Sequence, residues 1–214
     1  MIKAIAFDMD GVLINSQPLH YEIDMMVLKE CGFLATLDTV TPYTGLSNPD
    51  RWPKYKESLG LGKSVDRLIF LQEMFMAEIF NAANLTPIEG VQALLQYLKE
   101  KNIPCAVASS SSHELIDLVL TKCQIKQYFT HIISGEDVLN GKPAPDIYIK
   151  TAKAFDILPQ NCIAIEDSKM GILSAKNAGF VCIGYVNPST HGQDFTHADH
   201  VITHFDECKE LIKC

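Results

Sequence analysis

The chain has 214 residues, 47% of them hydrophobic, and a formal net charge of −8, a length that suits one globular domain with a smaller insert. The acidic balance, with no Lys/Arg-rich run, excludes a nucleic-acid partner, whose phosphates demand a basic surface. No apolar stretch reaches bilayer-spanning length, and the first residues read as a strand rather than a signal peptide, so no membrane association is expected.

The run Ala4-Ile5-Ala6-Phe7 predicts a buried parallel strand, apolar on both faces. It ends in Asp8-Met9-Asp10-Gly11, which delivers two carboxylates to the edge where open α/β sheets bind ligands. Two close acids repel unless a cation or a shared proton relieves them. Mg²⁺, a hard ion that prefers oxygen, is an economical relief. Taken alone, Asp-x-Asp also fits a solvated strand end.

A turn over 15–18 leads into a predicted helix over 19–31, closed by Gly32. The stretch 41–53 holds three prolines and a glycine and reads as loop-rich. Val65, Leu68, Phe75, Met76, Ile79 and Phe80 mark the apolar side of a helix over 64–81. No strand pattern falls between Leu19 and Asn84, so this block is a helical insert after the first strand.

From Thr86 the pattern alternates. Val91, Leu94, Leu95 and Leu98 form a helical stripe. Cys105-Ala106-Val107-Ala108 reads as a strand ending in Ser109 to Ser112, with a helix after it. Ile132-Ile133 is a short strand, and Asn140 to Asp146 is a Pro-rich loop before a helix over 146–155. Cys162 to Ile165 is a strand ending in Glu166-Asp167-Ser168, followed by a helix rich in small residues. Val181 to Val186 is another strand, and Val201-Ile202 a candidate last one. This alternation predicts an α/β fold: a doubly wound, Rossmann-like parallel sheet with helices on both faces. The expected domains are a core of 1–14 with 84–214 and a helical domain of 15–83.

Three strand ends thus carry polar groups, Asp8/Asp10, Ser109/Ser110 and Glu166/Asp167, and a doubly wound sheet brings such ends to one edge. Lys142 lies in the loop between the last two. Each has an ordinary reading: a serine run caps a helix, an isolated lysine is solvated, and Glu-Asp-Ser forms a cap and turn. A helix N-terminus also binds anions, so capping and phosphate binding are compatible. Seven scattered cysteines without a C-x-x-C pair suggest reduced thiols and a cytoplasmic protein. His191, His197, His200 and His204 lack metal-site spacing and read as surface residues.

Phe7-Asp8-Met9-Asp10-Gly11-Val12-Leu13, Ala108-Ser109-Ser110, Gly141-Lys142-Pro143-Ala144-Pro145-Asp146 and Ile165-Glu166-Asp167-Ser168 resemble the four motifs of the haloacid dehalogenase superfamily. Within it they resemble the branch of β-phosphoglucomutases and small sugar-phosphate phosphatases. The resemblance implies that Asp8 is a nucleophile that becomes an aspartyl phosphate, and that Asp10 is the general acid and then base. Asp8, Asp167, Glu166 and the Asp10 carbonyl would hold Mg²⁺. Lys142, Ser109 and the backbone N–H groups after Asp8 and at Ser110 would hold phosphoryl oxygens. Hydrolytic dehalogenases of the superfamily lack the second aspartate, so dehalogenation is set aside.

By the same resemblance the insert is a mobile cap whose residues choose the substrate. Ser16, His20, Gly45, Asn48 and Arg51 are its candidate contacts. In β-phosphoglucomutases an arginine follows the serine of the cap loop; here that position is Asn48, with Arg51 beyond Pro49. This departure favours a Mg²⁺-dependent phosphatase of a small phosphorylated metabolite over a mutase. A phosphate-binding protein without turnover is the third reading. A monomer is the expected state.

Overall fold

A computed structural model describes residues 2–43, 48–190 and 192–212. The chain divides into two compact units, one running up to Asn15 and again from Asn84, the other Ser16–Ala83. The first strand, β1 (Ala4–Phe7), is buried along its whole length.

The unit Ser16–Ala83 is helical. Its elements are α1 (Gln17–Glu30), a short α2 (Leu37–Val40), α3 (Asn48–Leu59) and α4 (Val65–Ala82). Pro18 in the first turn of α1 costs no helical hydrogen bond. Ser64 caps α4 by accepting from the Arg67 N–H at 3.3 Å. The loop-rich reading of 41–53 is overturned from Asn48 onward, where α3 begins. Pro53 sits inside that helix and removes one backbone donor. The complete burial of Trp52 and Tyr55 outweighs the loss, because two aromatic side chains contribute several times the stabilisation of one hydrogen bond.

The other unit is built on a parallel sheet. After α5 (Val91–Glu100) come β2 (Cys105–Ser109), α6 (His113–Lys122), β3 (Phe129–Ser134), α7 (Asp146–Phe155) and β4 (Cys162–Glu166). The chain ends in α8 (Lys169–Asn177), β5 (Val181–Tyr185), β6 (His200–Ile202) and α9 (Cys208–Leu211). The strand order is β3-β2-β1-β4-β5-β6 and every pairing is parallel, as the alternating pattern predicts. One face carries small side chains, Ala4, Ala6, Ala108 and Ala164, under Ile147, Tyr148, Ile172 and Ala175 of α7 and α8. Ile5, Phe7, Val107, Ile163 and Ile165 alternate with these on the other face and are also buried.

This order reverses beside β1: the chain moves outward through β2 and β3, then returns to β4 on the opposite side of β1. That reversal is the topological switch point, where doubly wound sheets leave a crevice at the strand ends. Phe7 pairs with Val107 and with Ile165. The residues in register beside Asp8 are therefore Ala108 and Glu166, which still pair outward with Ile133 and Gly184.

Six cysteines are free among the described residues, five of them buried. Burial pushes the thiols of Cys105 and Cys162 up to about 12 and about 11, which suits packing rather than reactivity. Among the described residues no helix is long and apolar enough to cross a membrane.

Candidate active site

Asp8 follows β1 and is anchored by its own N–H, which donates to Ile165 O at 3.0 Å. Its side chain is buried, and Oδ1 accepts from Lys142 Nζ at 2.6 Å. The same ammonium donates to Glu166 Oε1 at 2.6 Å and to Ala108 O at 3.1 Å. Lys142 reaches this point from the loop before α7, so it is no solvated surface lysine. Burial pulls its pKa down, but the carboxylates of Asp8 and Glu166 outweigh that and hold it as an ammonium.

Asp8, Glu166 and Asp167 each present a carboxylate oxygen within 4.8 Å of the others, and all three residues are buried. Burial pushes the Asp8 carboxyl well above the ordinary range; Lys142 opposes this, while Glu166, Asp167 and Asp10 add to it. Asp167 is pushed up to about 8, first by burial and then by Glu166. One ammonium against three buried acids leaves excess negative charge in a buried site. A hard divalent cation answers that excess with oxygen ligands of the kind it prefers. The donor set therefore fits a metal held by Asp8, Glu166 and Asp167.

Two glycines make the close approach of these acids feasible. Gly11 has φ +83°, and a Cβ there would lie 2.0 Å from Asp167 Oδ2. A Cβ on Gly171 of α8 would lie 2.0 Å from the carboxylate carbon of Glu166. Side chains would fill the cradle that these carboxylates occupy.

The serine run divides its roles. Ser112 caps α6 by accepting from the Leu115 N–H at 3.3 Å. Ser109 is completely buried at the end of β2, where its Oγ accepts from the Ser111 N–H at 3.1 Å. Ser110 is exposed. Ser111, which motif reading passes over, donates from Oγ to Asp10 Oδ2 at 3.1 Å.

Other site residues carry no sequence motif. Tyr148 Oη donates to Glu166 Oε1 at 2.6 Å. Thr190 Oγ1 donates to Asp167 Oδ2 at 3.2 Å. Asn187 Nδ2 donates to Gly11 O at 2.9 Å and holds the turn after the two aspartates. A polar residue just beyond β5 is the one signal that points to Asn187 and Thr190, since that strand end shares the edge.

The candidate cap residues sit in the helical unit. Ser16 is buried at the start of α1. The ring of His20 lies 5.7 Å from that of Phe80. Gly45 lies outside the described residues. Arg51 is buried: Nη2 donates to Asn48 Oδ1 at 2.7 Å, and Nη1 lies 3.5 Å from Asp24 Oδ2. Asn48 Nδ2 in turn donates to Gln72 Oε1 at 2.5 Å, and Tyr55 Oη donates to Asp24 Oδ2 at 3.1 Å. Burial raises the Asp24 carboxyl pKa, against the pull of Arg51, His20 and Tyr55. Asp24 Oδ1, Arg51 Nε and Trp52 Nε1 are buried without a hydrogen-bond partner.

Residues 5–185 match the family model described as haloacid dehalogenase-like hydrolase. A phosphorylated carbohydrates phosphatase of Thermotoga maritima is 29% identical over 94% of this chain and 93% of its own length. Validoxylamine A 7'-phosphate phosphatase of Streptomyces hygroscopicus subsp. limoneus is 30% identical over 86% of this chain and 85% of its own. Among solved structures, a β-phosphoglucomutase from Clostridium difficile is 25% identical with TM-score 0.83, covering 100% of this chain and 96% of its own. The paired aspartates, the bridging lysine and the acidic pair after β4 stand together in a chain matched along this length, and the protein belongs to the haloacid dehalogenase-like hydrolases.

Proposed function

We propose that this hydrolase is a Mg²⁺-dependent phosphatase that removes phosphate from a small phosphorylated metabolite, a sugar phosphate, through an aspartyl phosphate on Asp8. The observation that carries the reading is Lys142 Nζ at 2.6 Å from both Asp8 Oδ1 and Glu166 Oε1, beside Asp167. A buried nucleophile, a fixed cation and a metal-ligating pair are the parts phosphoryl transfer requires.

Mg²⁺, held by Asp8, Glu166, Asp167 and the Asp10 carbonyl, would offset repulsion between the anionic nucleophile and the phosphate. A carboxylate oxygen of Asp8 attacks phosphorus, and the bond to the ester oxygen breaks. Asp10, held by Ser111, gives its proton to that leaving oxygen. Asp10 then takes a proton from water, which attacks the aspartyl phosphate and releases inorganic phosphate with Asp8 restored. Lys142 and Ser109, with the backbone N–H groups after Asp8 and at Ser110, hold the phosphoryl oxygens throughout.

The unit Ser16–Ala83 would act as the cap that selects the substrate. The likeness to a β-phosphoglucomutase supports a second reading, transfer within a sugar phosphate. Against it, Asn48 and Arg51 are committed to each other, to Gln72 and to Asp24. A mutase must retain a bisphosphate intermediate by its second phosphate; with Arg51 held by Asp24 and Asn48, water takes the phosphoryl group instead.

Phosphate release from p-nitrophenyl phosphate and from a panel of sugar phosphates tests the reading. Activity should vanish with EDTA and fall by several orders of magnitude in Asp8→Asn with the fold retained. Phosphorus NMR with β-glucose 1-phosphate separates the alternatives. Free phosphate supports hydrolysis, and glucose 6-phosphate without free phosphate overturns it.

A further inference from the structure

We propose that the Tyr148 hydroxyl is the positioning group for Glu166, holding that carboxylate among the metal-ligating acids when Lys142 turns to the substrate. This inference rests on the phosphatase reading above. Tyr148 lies in the first turn of α7, completely buried, with its ring centroid 5.2 Å from that of Phe180. Packing alone would be served by phenylalanine. A buried hydroxyl costs stability unless it is bonded, and this one donates to Glu166 Oε1 at 2.6 Å.

The reason for that bond lies in how Lys142 spends its protons. An ammonium has three N–H donors, and here they reach Asp8 Oδ1, Ala108 O and Glu166 Oε1. A phosphoryl oxygen entering beside Asp8 must take one of them. If Lys142 leaves Glu166, its Oε1 loses one of two donors in a fully buried position. Without Tyr148 it would lose both, and an unpaired buried carboxylate oxygen is costly enough to rotate the group out of its place.

The test is Mg²⁺ binding by isothermal titration calorimetry on the full chain, with and without saturating inorganic phosphate. Removing the outer partner of a metal ligand weakens metal binding by about 10- to 100-fold. Tyr148→Phe should weaken Mg²⁺ binding by roughly 10-fold with phosphate present, and by less without it. Phe180→Leu loosens the packing on the same ring and keeps the hydroxyl, so it should lower the melting temperature and leave Mg²⁺ affinity in place. An unmoved affinity in Tyr148→Phe, or an equal loss in Phe180→Leu, overturns the inference while the phosphatase reading stands. A wild-type chain that binds no Mg²⁺ overturns both.

Discussion

Replacing Gly171 by alanine sets two effects of opposite sign against each other. Gly171 lies in the first turn of α8. Helix propensity alone favours alanine over glycine there by about 1 kcal/mol. The added Cβ, however, would lie 2.0 Å from Glu166 Cδ and Oε2 and 2.2 Å from Oε1. The clash is with the carboxylate at the end of the side chain, which is fully buried and held by hydrogen bonds, so Glu166 must leave its place. Leaving breaks the bonds from Lys142 and Tyr148, each 2.6 Å long. Hydrogen bonds to a charged group are worth about 1.5–3 kcal/mol each, so the loss is about 3–6 kcal/mol against a gain near 1. The net cost of about 2–5 kcal/mol corresponds, for a chain of this size, to a melting temperature lowered by roughly 4–20 °C. Differential scanning calorimetry in EDTA measures it, and on the proposed mechanism phosphate release should fall with it, because Glu166 would no longer be placed to hold the metal. A Gly171→Ala protein as stable as wild type and equally active would refute the reasoning.

The carboxylates set a pH dependence of definite sign. Asp167 is raised from 3.8 in the unfolded chain to about 8 in the folded one. The folded state therefore binds more protons between those values, and its stability falls as pH rises through them, by up to about 1.4 kcal/mol per pH unit for one group. Urea unfolding in EDTA should show lower stability at pH 8 than at pH 5, and saturating Mg²⁺ should flatten the slope; rising stability in EDTA over that range would contradict the assignment. In the helical unit, Arg51→Met leaves the buried Asp24 without its cation and should cost about 3–5 kcal/mol. The double variant with Asp24→Asn should recover a large part of that, and a double-mutant cycle showing simple additivity would mean that the pair is not coupled.

How much of the molecule was legible depends on what fixes each residue's position. In a parallel sheet every strand end faces the same edge, so a polar group just after a buried strand reports its own location. Asp8, Ser109, Glu166 and Asp167 are readable for that reason, and Lys142 because it stands in order between them within a motif. Tyr148 is not, because an aromatic residue on the apolar side of α7 looks like packing until its hydroxyl is seen to point at Glu166. Ser111 and Ser112 share a residue type, and only their hydrogen bonds separate the partner of Asp10 from the helix cap. The stretch beginning at Asn48 misleads in the other direction: Pro49 and Pro53 read as breakers, but burial of Trp52 and Tyr55 overrides them.

The same distinction decides what Arg51 can do. Its pairing with Asp24 joins residues far apart in the chain, and no periodicity links them. A substrate phosphate that captured the guanidinium would gain one or two charge-assisted bonds, about 1.5–3 kcal/mol each. It would also take Arg51 away from Asp24 at a site 3% exposed, at a cost of about 3–5 kcal/mol. Gain and cost nearly cancel, so a second phosphate on the substrate wins little affinity from Arg51. That balance, rather than the absence of an arginine from position 48, is the physical ground for expecting water and not a retained bisphosphate to receive the phosphoryl group.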